Sequence, residues 1–312
     1  MKHYLSINDL GDLNQAVQEA QSLKSSPFAF EHLGHHKTIC LLFFNSSLRT
    51  RLSTQKAAHN LGLNVMVMNF GSEGWQLEYG TGTVMDEGKS EHIREAARVV
   101  SQYADIVAIR AFAGLVEKEK DEAEEVLNGF KIYASIPIVN MESSVAHPLQ
   151  ALADAITIAE HRTLEKPKVV LTWAPHPKAL PHAVANSFVR MMKLQDAEFV
   201  ITNPFGYDLD PCITNGCEIV HDQEKALENA TFVYAKNWSS YSNYGKVLLQ
   251  NPKWMMTQEK LGNAKFMHCL PVRRNVVVND AVLNGNHSLV IDQANNRTWA
   301  AQVVLKRILE TL

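Results

Sequence analysis

Three stretches of the chain gather side chains suited to holding small anions. The first, Asn45-Ser46-Ser47-Leu48-Arg49-Thr50-Arg51, follows the apolar run Thr38-Phe44. Serines between a strand and a helix offer hydroxyl N-caps, and the free N–H groups and dipole at a helix start favour negative charge. Arg49 and Arg51, two apart, point to different sides of that turn, so one can clamp a phosphate while the other forms an ion pair. On this segment alone, an ordinary capped helix with two solvated arginines is an equal reading. The second stretch is His147-Pro148-Leu149-Gln150, and the third is His268-Cys269-Leu270-Pro271-Val272-Arg273-Arg274. No GxxxxGK[ST] loop occurs, and the one GxG, Gly80-Thr81-Gly82, is expected neither to follow a strand nor to form a dinucleotide fingerprint.

Apolar, β-branched runs alternate with helix-length segments along the chain. The runs are Thr38-Phe44, Asn64-Phe70, Asp105-Ala111, Ile136-Met141, Lys168-Trp173, Ala197-Thr202, Thr231-Ala235, Lys265-Leu270 and Leu289-Asp292. Continuous hydrophobicity means both faces are buried, as in a parallel sheet covered by helices. Helices are expected over Ser47-Leu61, Glu91-Tyr103, Pro148-His161, Leu180-Leu194 and Arg297-Leu312. The pattern predicts an α/β protein of two doubly wound parallel-sheet domains, with His147-His161 as the connecting helix. Ligands of such sheets bind beyond the carboxyl ends of the strands. Nearly every run here ends in a charged, hydroxyl or imidazole residue, which points to one cleft.

Composition narrows the classes. The 312 residues carry 30 Lys and Arg against 33 Asp and Glu, a net −3. Without a basic block the chain is not expected to bind nucleic acid, whose recognition rests on neutralising phosphates. No apolar run reaches the roughly 18 residues of a membrane span, and the start has no secretory h-region. Four cysteines are too few for a disulfide framework, and Cys212 and Cys217 lack zinc-like spacing. A cytoplasmic protein with reduced thiols is the expectation.

Together the motifs resemble those of the transcarbamylase family, which moves a carbamoyl group from carbamoyl phosphate to an amine. Ser47-Leu48-Arg49-Thr50-Arg51 resembles its S-x-R-T-R phosphate motif, His147-Pro148-Leu149-Gln150 with Asp154 its H-P-x-Q-x-x-x-D motif, and His268-Cys269-Leu270-Pro271-x-Arg273 the H-C-L-P-x-R motif of the ornithine branch. The resemblance implies a carbamoyl-phosphate domain over 1–146 plus 296–312, an amino-acid domain over 147–295, interdomain helices, and a C-terminal helix returning to the first domain. It also implies a homotrimer with shared sites and neither a metal nor an organic cofactor. By motif matching, Ser47, Leu48, Arg49 and Thr50 would cradle phosphate. Arg110, His147 and Gln150 would bind the carbamoyl group, with Cys269, Leu270 and Arg297 completing the site. Arg110, His147 and Thr50 would stabilise the oxyanion. Cys269 would act through its backbone and position. Trp75 would lie in a loop reaching a neighbouring subunit.

One departure concerns the amine. Ornithine enzymes carry a W-S-M-G loop and a preceding Asp that hold a free α-ammonium; this chain has Lys236-Asn237-Trp238-Ser239-Ser240. A cation there repels an α-ammonium, so the resemblance implies the N-acylornithine branch, with Glu142, His176, Lys236 and Arg273 facing the acylated amino acid. Ser90 stands where acetyl-specific members have Glu and succinyl-specific members have Pro, and Val277 where the acetyl enzymes have Lys. Both lean toward carbamoylation of the δ-amine of N2-succinyl-L-ornithine in arginine biosynthesis, although Ser90 matches neither pattern. N-acetylornithine comes next, then ornithine; a catalytically silent carbamoyl-phosphate-binding regulator is the reading from another class.

Overall fold

The computed structural model describes residues 1–312. Eleven strands form two parallel sheets and a small ribbon. In chain order they are β1 (Thr38–Phe43), β2 (Asn64–Asn69), β3 (Leu77–Glu78), β4 (Glu91–His92), β5 (Ile106–Arg110), β6 (Ile138–Glu142), β7 (Lys168–Trp173), β8 (Glu198–Thr202), β9 (Glu218–Val220), β10 (Phe232–Lys236) and β11 (Lys265–Met267). The first sheet has the order β2-β1-β5-β6, the second β11-β10-β7-β8-β9, and β3 pairs with β4. Each sheet thus runs outward in both directions from an internal strand, the doubly wound arrangement whose order reversal opens a crevice at the strand ends. Strands β5 and β6 are buried at every residue, including the polar Arg110, Asn140 and Glu142 at or near their carboxyl ends.

The helix Pro148–His161 leaves the first sheet and is buried along Pro148–Ile158, because its Ala- and Ile-rich surface meets protein on all sides. The helix Val290–Leu309 packs against it and against the helices Arg49–Asn60 and Leu13–Ser25. Polar pairs fix that docking: Asn60 Nδ2 donates to Gln302 Oε1 at 2.9 Å, and Arg307 Nε to Glu19 Oε2 at 2.8 Å. One hydrophobic core therefore runs from Leu41 on β1, through Ile156 and Val304, to Leu171 on β7. No helix is long and apolar enough to cross a membrane.

Several sequence expectations are corrected. Leu289-Asp292 is not a strand: Ser288 makes a single bridge to Phe266, and the chain turns at once into the final helix, which begins at Val290 rather than Arg297. Leu289 follows that bridge and Val290, Ile291 and Asp292 open the first helical turn, which a short run cannot reveal by periodicity. Ser46 and Ser47 do not cap the phosphate-motif helix. It starts at Arg49 behind Leu48, with no side-chain cap, so its first N–H groups have no hydroxyl partner. Glu91 and His92 belong to β4, and the next helix begins at Ile93, capped by His92 Nδ1 on the Arg94 N–H at 3.1 Å. The segment expected as Leu180-Leu194 is helical over Ala183–Met192. Gly80 does follow a strand, the two-residue β3, but no helix opens behind it.

Candidate active site

A cavity of about 650 Å³ lies where the carboxyl ends of both sheets converge. The first sheet contributes Ser47, Leu48, Arg49 and Thr50 behind β1, Arg110 at the end of β5, and Glu142 at the end of β6. His147 and Gln150 enter from the start of the Pro148–His161 helix. From the second sheet come His176 behind β7, Lys236 at the end of β10, and Cys269 and Leu270 behind β11; the final helix adds Arg297. Arg273 stands beside the wall, its Nε donating to His176 Nε2 at 3.1 Å. Leu270 has a left-handed backbone (φ 54°), and the Leu270–Pro271 bond is cis.

Besides Arg273, two expected residues, Trp75 and Ser90, do not line this cavity. Trp75 donates through Nε1 to Glu91 at 2.7 Å and lines a separate cavity with Phe44, Phe70 and Lys89. Ser90 is exposed, its N–H donating to the Gln76 carbonyl at 3.2 Å. Conversely, Ser46, Phe112, Leu180, Pro181, Val184 and Pro271 line the cavity without having been expected to. Ser46 and Pro271 sit inside motifs already recognised, and Phe112 follows Arg110 by two residues. In the 180–184 segment the lining residues Leu180, Pro181 and Val184 are apolar, and its one polar residue, His182, turns instead to the Ser239 carbonyl at 2.8 Å.

The geometry is built on Arg110. A register shift between Ile109 and Arg110 sets Arg110 opposite Glu142, and Arg110 Nε donates to Glu142 Oε2 at 3.2 Å. Its Nη1 donates to the carbonyls of Ser46 at 2.6 Å and Asn45 at 3.1 Å, and the guanidinium lies 3.9 Å from the Phe112 ring centroid. This side chain is thereby clamped between β6 and the segment that enters the phosphate-motif helix. His147 Nε2 is 3.4 Å from Glu142 Oε2 and 3.4 Å from Arg297 Nη2. Arg297 Nη2 also donates to Thr50 Oγ1.

Four cations, Arg49, Arg110, Lys236 and Arg297, face this space against one carboxylate, Glu142. Burial raises the Glu142 carboxyl above the ordinary range, while Arg110, Arg297 and Lys236 hold it down. Burial lowers His147 well below the usual imidazole value, and Arg297, Arg110, Lys236 and Arg49 add to the effect, so the ring is neutral near pH 7. A neutral imidazole among cations can donate to an oxygen without becoming a charged acid. The arrangement could take a small dianion at the Arg49 helix start, with hydrogen-bond donors nearby to stabilise charge on a carbonyl oxygen.

Comparison with known proteins bears directly on this cavity. The family model described as aspartate/ornithine carbamoyltransferase, carbamoyl-P binding domain, matches residues 2–160, and the Asp/Orn binding domain of the same family matches 181–308. The chain belongs to the aspartate/ornithine carbamoyltransferase family. Within that family, N-succinylornithine carbamoyltransferases of Bacteroides thetaiotaomicron and Bacteroides fragilis are each 47% identical over the whole of both chains. The N-acetylornithine carbamoyltransferase of Xanthomonas axonopodis pv. citri is 34% identical, across 98% of this chain and 96% of its own. Acetylornithine transcarbamylase in complex with acetylcitrulline superposes with a TM-score of 0.92 at 34% identity, covering 99% of each chain. A variant of N-acetyl-L-ornithine transcarbamylase with one glutamate replaced by serine, complexed with carbamyl phosphate and N-succinyl-L-norvaline, gives the same TM-score and identity over 99% of this chain and all of its own. The chain is thus a carbamoyltransferase of the N-acylornithine group.

Proposed function

We propose that this carbamoyltransferase moves the carbamoyl group of carbamoyl phosphate to the δ-amine of N2-succinyl-L-ornithine, giving N-succinylcitrulline and phosphate in arginine biosynthesis. The observation that carries the acyl reading is Lys236 in the cavity wall, where an α-ammonium would be repelled and an acylated nitrogen would not. The higher identity to N-succinyl than to N-acetyl enzymes, 47% against 34%, supports succinyl. So does Ser90, an uncharged residue at the position that the loop resemblance matches to glutamate in acetyl enzymes.

In this reading Ser47, Leu48, Arg49 and Thr50 hold the phosphate, and Arg110, His147, Gln150, Cys269, Leu270 and Arg297 hold the carbamoyl group. Glu142, His176, Lys236 and Arg273 face the acylornithine. The neutral δ-amine attacks the carbamoyl carbon, charge grows on the carbonyl oxygen, and Arg110, His147 and Thr50 stabilise it. Arg49 and the uncapped helix start stabilise the departing phosphate. Holding both substrates in line supplies much of the remaining acceleration.

The division into 1–146 plus 296–312 and 147–295 follows the two substrates. A homotrimer is part of the proposal, with Trp75 and Ser90, absent from their own cavity wall, serving the site of the next subunit.

Initial rates with carbamoyl phosphate and each of N-succinylornithine, N-acetylornithine and ornithine test the reading. N-succinylornithine should be the best acceptor. A preference for ornithine overturns the acyl argument, one for N-acetylornithine overturns only succinyl, and no phosphate release with any amine favours a silent binder.

A further inference from the structure

Asp154 has no surface exposure and does not line the cavity, yet it joins two elements that do. It lies one helical turn after Gln150, whose Nε2 donates to Asp154 Oδ1 at 2.7 Å. From the final helix, Gln293 Nε2 donates to the same oxygen at 2.7 Å, and Gln293 Oε1 accepts the His268 N–H at 2.9 Å. Residue 268 opens the loop that carries Cys269 and Leu270 into the cavity.

The polarity of this chain of bonds is fixed from one end. A main-chain N–H can only donate, so Gln293 must present its oxygen to His268 and therefore its NH₂ to Asp154. Asp154 Oδ1 is then an acceptor, whether the carboxyl is ionised or carries a proton on Oδ2. Gln150 shares that acceptor, so it too must spend its NH₂ on Asp154. The end of the Gln150 amide left over is Oε1, which has no hydrogen-bond partner. An acceptor in that place suits a ligand group that donates.

We infer that Asp154 is a positioning residue that fixes the Gln150 amide with its oxygen toward the donor substrate, and thereby selects a carbamoyl over an acetyl phosphate. This rests on the carbamoyl-phosphate reading given under the proposed function. The two donors share the phosphate and the carbonyl; they differ in an NH₂ that can donate to Gln150 Oε1 and a methyl that cannot. A buried acceptor left without its donor costs about tenfold to a hundredfold in affinity, which sets the size of the preference.

Titration of the trimer or monomer as purified with carbamoyl phosphate and with acetyl phosphate gives the preference as a ratio of Kd values. Asp154→Leu removes the acceptor, frees the Gln150 amide to turn over, and should lower the ratio about tenfold or more. Asp154→Asn keeps an oxygen that can accept from both glutamines, and should hold the ratio within about threefold of wild type. A purely structural role would weaken both ligands together and leave the ratio unchanged. A folded Asp154→Leu protein with the wild-type ratio overturns the inference. Should Asp154→Leu not fold, Asp154→Ala, which also removes the acceptor, takes its place: a fallen ratio supports the inference and an unchanged one overturns it. Wild-type protein that binds neither donor would fell the functional reading and this inference with it, whereas a ratio that survives Asp154→Leu fells this inference alone.

Discussion

Arg297 and Thr50 stand 247 residues apart in sequence, and the guanidinium of one donates to the hydroxyl of the other inside the donor cavity. The contact joins the final helix to the first turn of the phosphate-motif helix, so the placement of Thr50 depends on the far end of the chain. Thr50→Val removes the hydroxyl and leaves a buried guanidinium short of a partner. It should lower kcat/KM for carbamoyl phosphate about tenfold to a hundredfold. Thr50→Ser, which keeps the acceptor, should stay within a few-fold, as initial-rate measurements with both variants would establish.

Arg110 is 7% exposed and pairs with Glu142, itself 8% exposed. Removing one member of such a pair leaves a charge buried without its counter-ion, a loss of about 3–5 kcal/mol. Arg110→Ala should therefore unfold in markedly less urea than wild type. Adding Glu142→Gln should recover much of that stability without restoring phosphate release. Equal destabilisation in the single and double variants would count against the pairing.

Ser90 is the position most open to a test of acyl preference. Glutamate there would repel the free carboxylate of a succinyl group and leave an acetyl group unaffected, which at a partly screened surface amounts to about tenfold. Ser90→Glu should shift the ratio of kcat/KM values from succinyl toward acetyl by that factor, and Ser90→Pro should not. If all three proteins share one preference in the acceptor panel, the loop does not read the acyl group.

Burial pushes the Asp154 carboxyl from 3.8 up to about 7, with the hydrogen bonds from Gln150 and Gln293 and the Arg297 charge restraining the rise. Between those values the folded protein keeps a proton that the unfolded chain has released. This contribution to stability is therefore greatest in acid, declines as pH rises from about 4 to 7, and levels off above. Glu142 works in the same direction, while His147 and His268, both lowered by burial, work against it. Comparison with Asp154→Asn cancels those shared terms. The stability of wild type minus that of the variant should fall by an amount on the order of 3–4 kcal/mol across the window, read from urea unfolding at several pH values.

Cys269 lines the cavity and is buried. Its proposed role is positional, so Cys269→Ala should retain at least about a tenth of wild-type kcat. A fall of many orders of magnitude, or a covalent carbamoyl adduct detected by mass spectrometry, would point instead to thiol catalysis.

The parts of the fold most legible in sequence are the apolar-rich strands. Such runs located β1, β2, β5, β6, β7, β8, β10 and β11; β5 and β6 are buried throughout, as a parallel strand hidden on both faces should be, whereas β2, an edge strand, is exposed at alternate positions in its first half. The short, half-exposed β9 and the β3–β4 ribbon gave no such run. Arg49 and His147 were legible as charged or imidazole groups at predicted strand ends, and Cys269 only through the H-C-L-P-x-R motif that resembles the family's. Val184 and Leu180 were not, since an apolar residue in a cavity wall looks like any core residue. Nor does residue type reveal that Ser46 and Ser47 leave the helix start uncapped; backbone geometry decides that. Ion pairs set by register, such as Arg110 with Glu142, need the pairing of two strands before they can be seen.

The docking of the final helix also has a consequence for how the protein is made. A nascent chain that has emerged through β11 already holds every strand of both sheets, but not Arg297. Until that helix lies down across the two halves, Thr50 and His147 lack the Arg297 guanidinium. Docking of the final helix and completion of the cationic wall are thus one event, because Arg297 reaches Thr50 and His147 only from that helix.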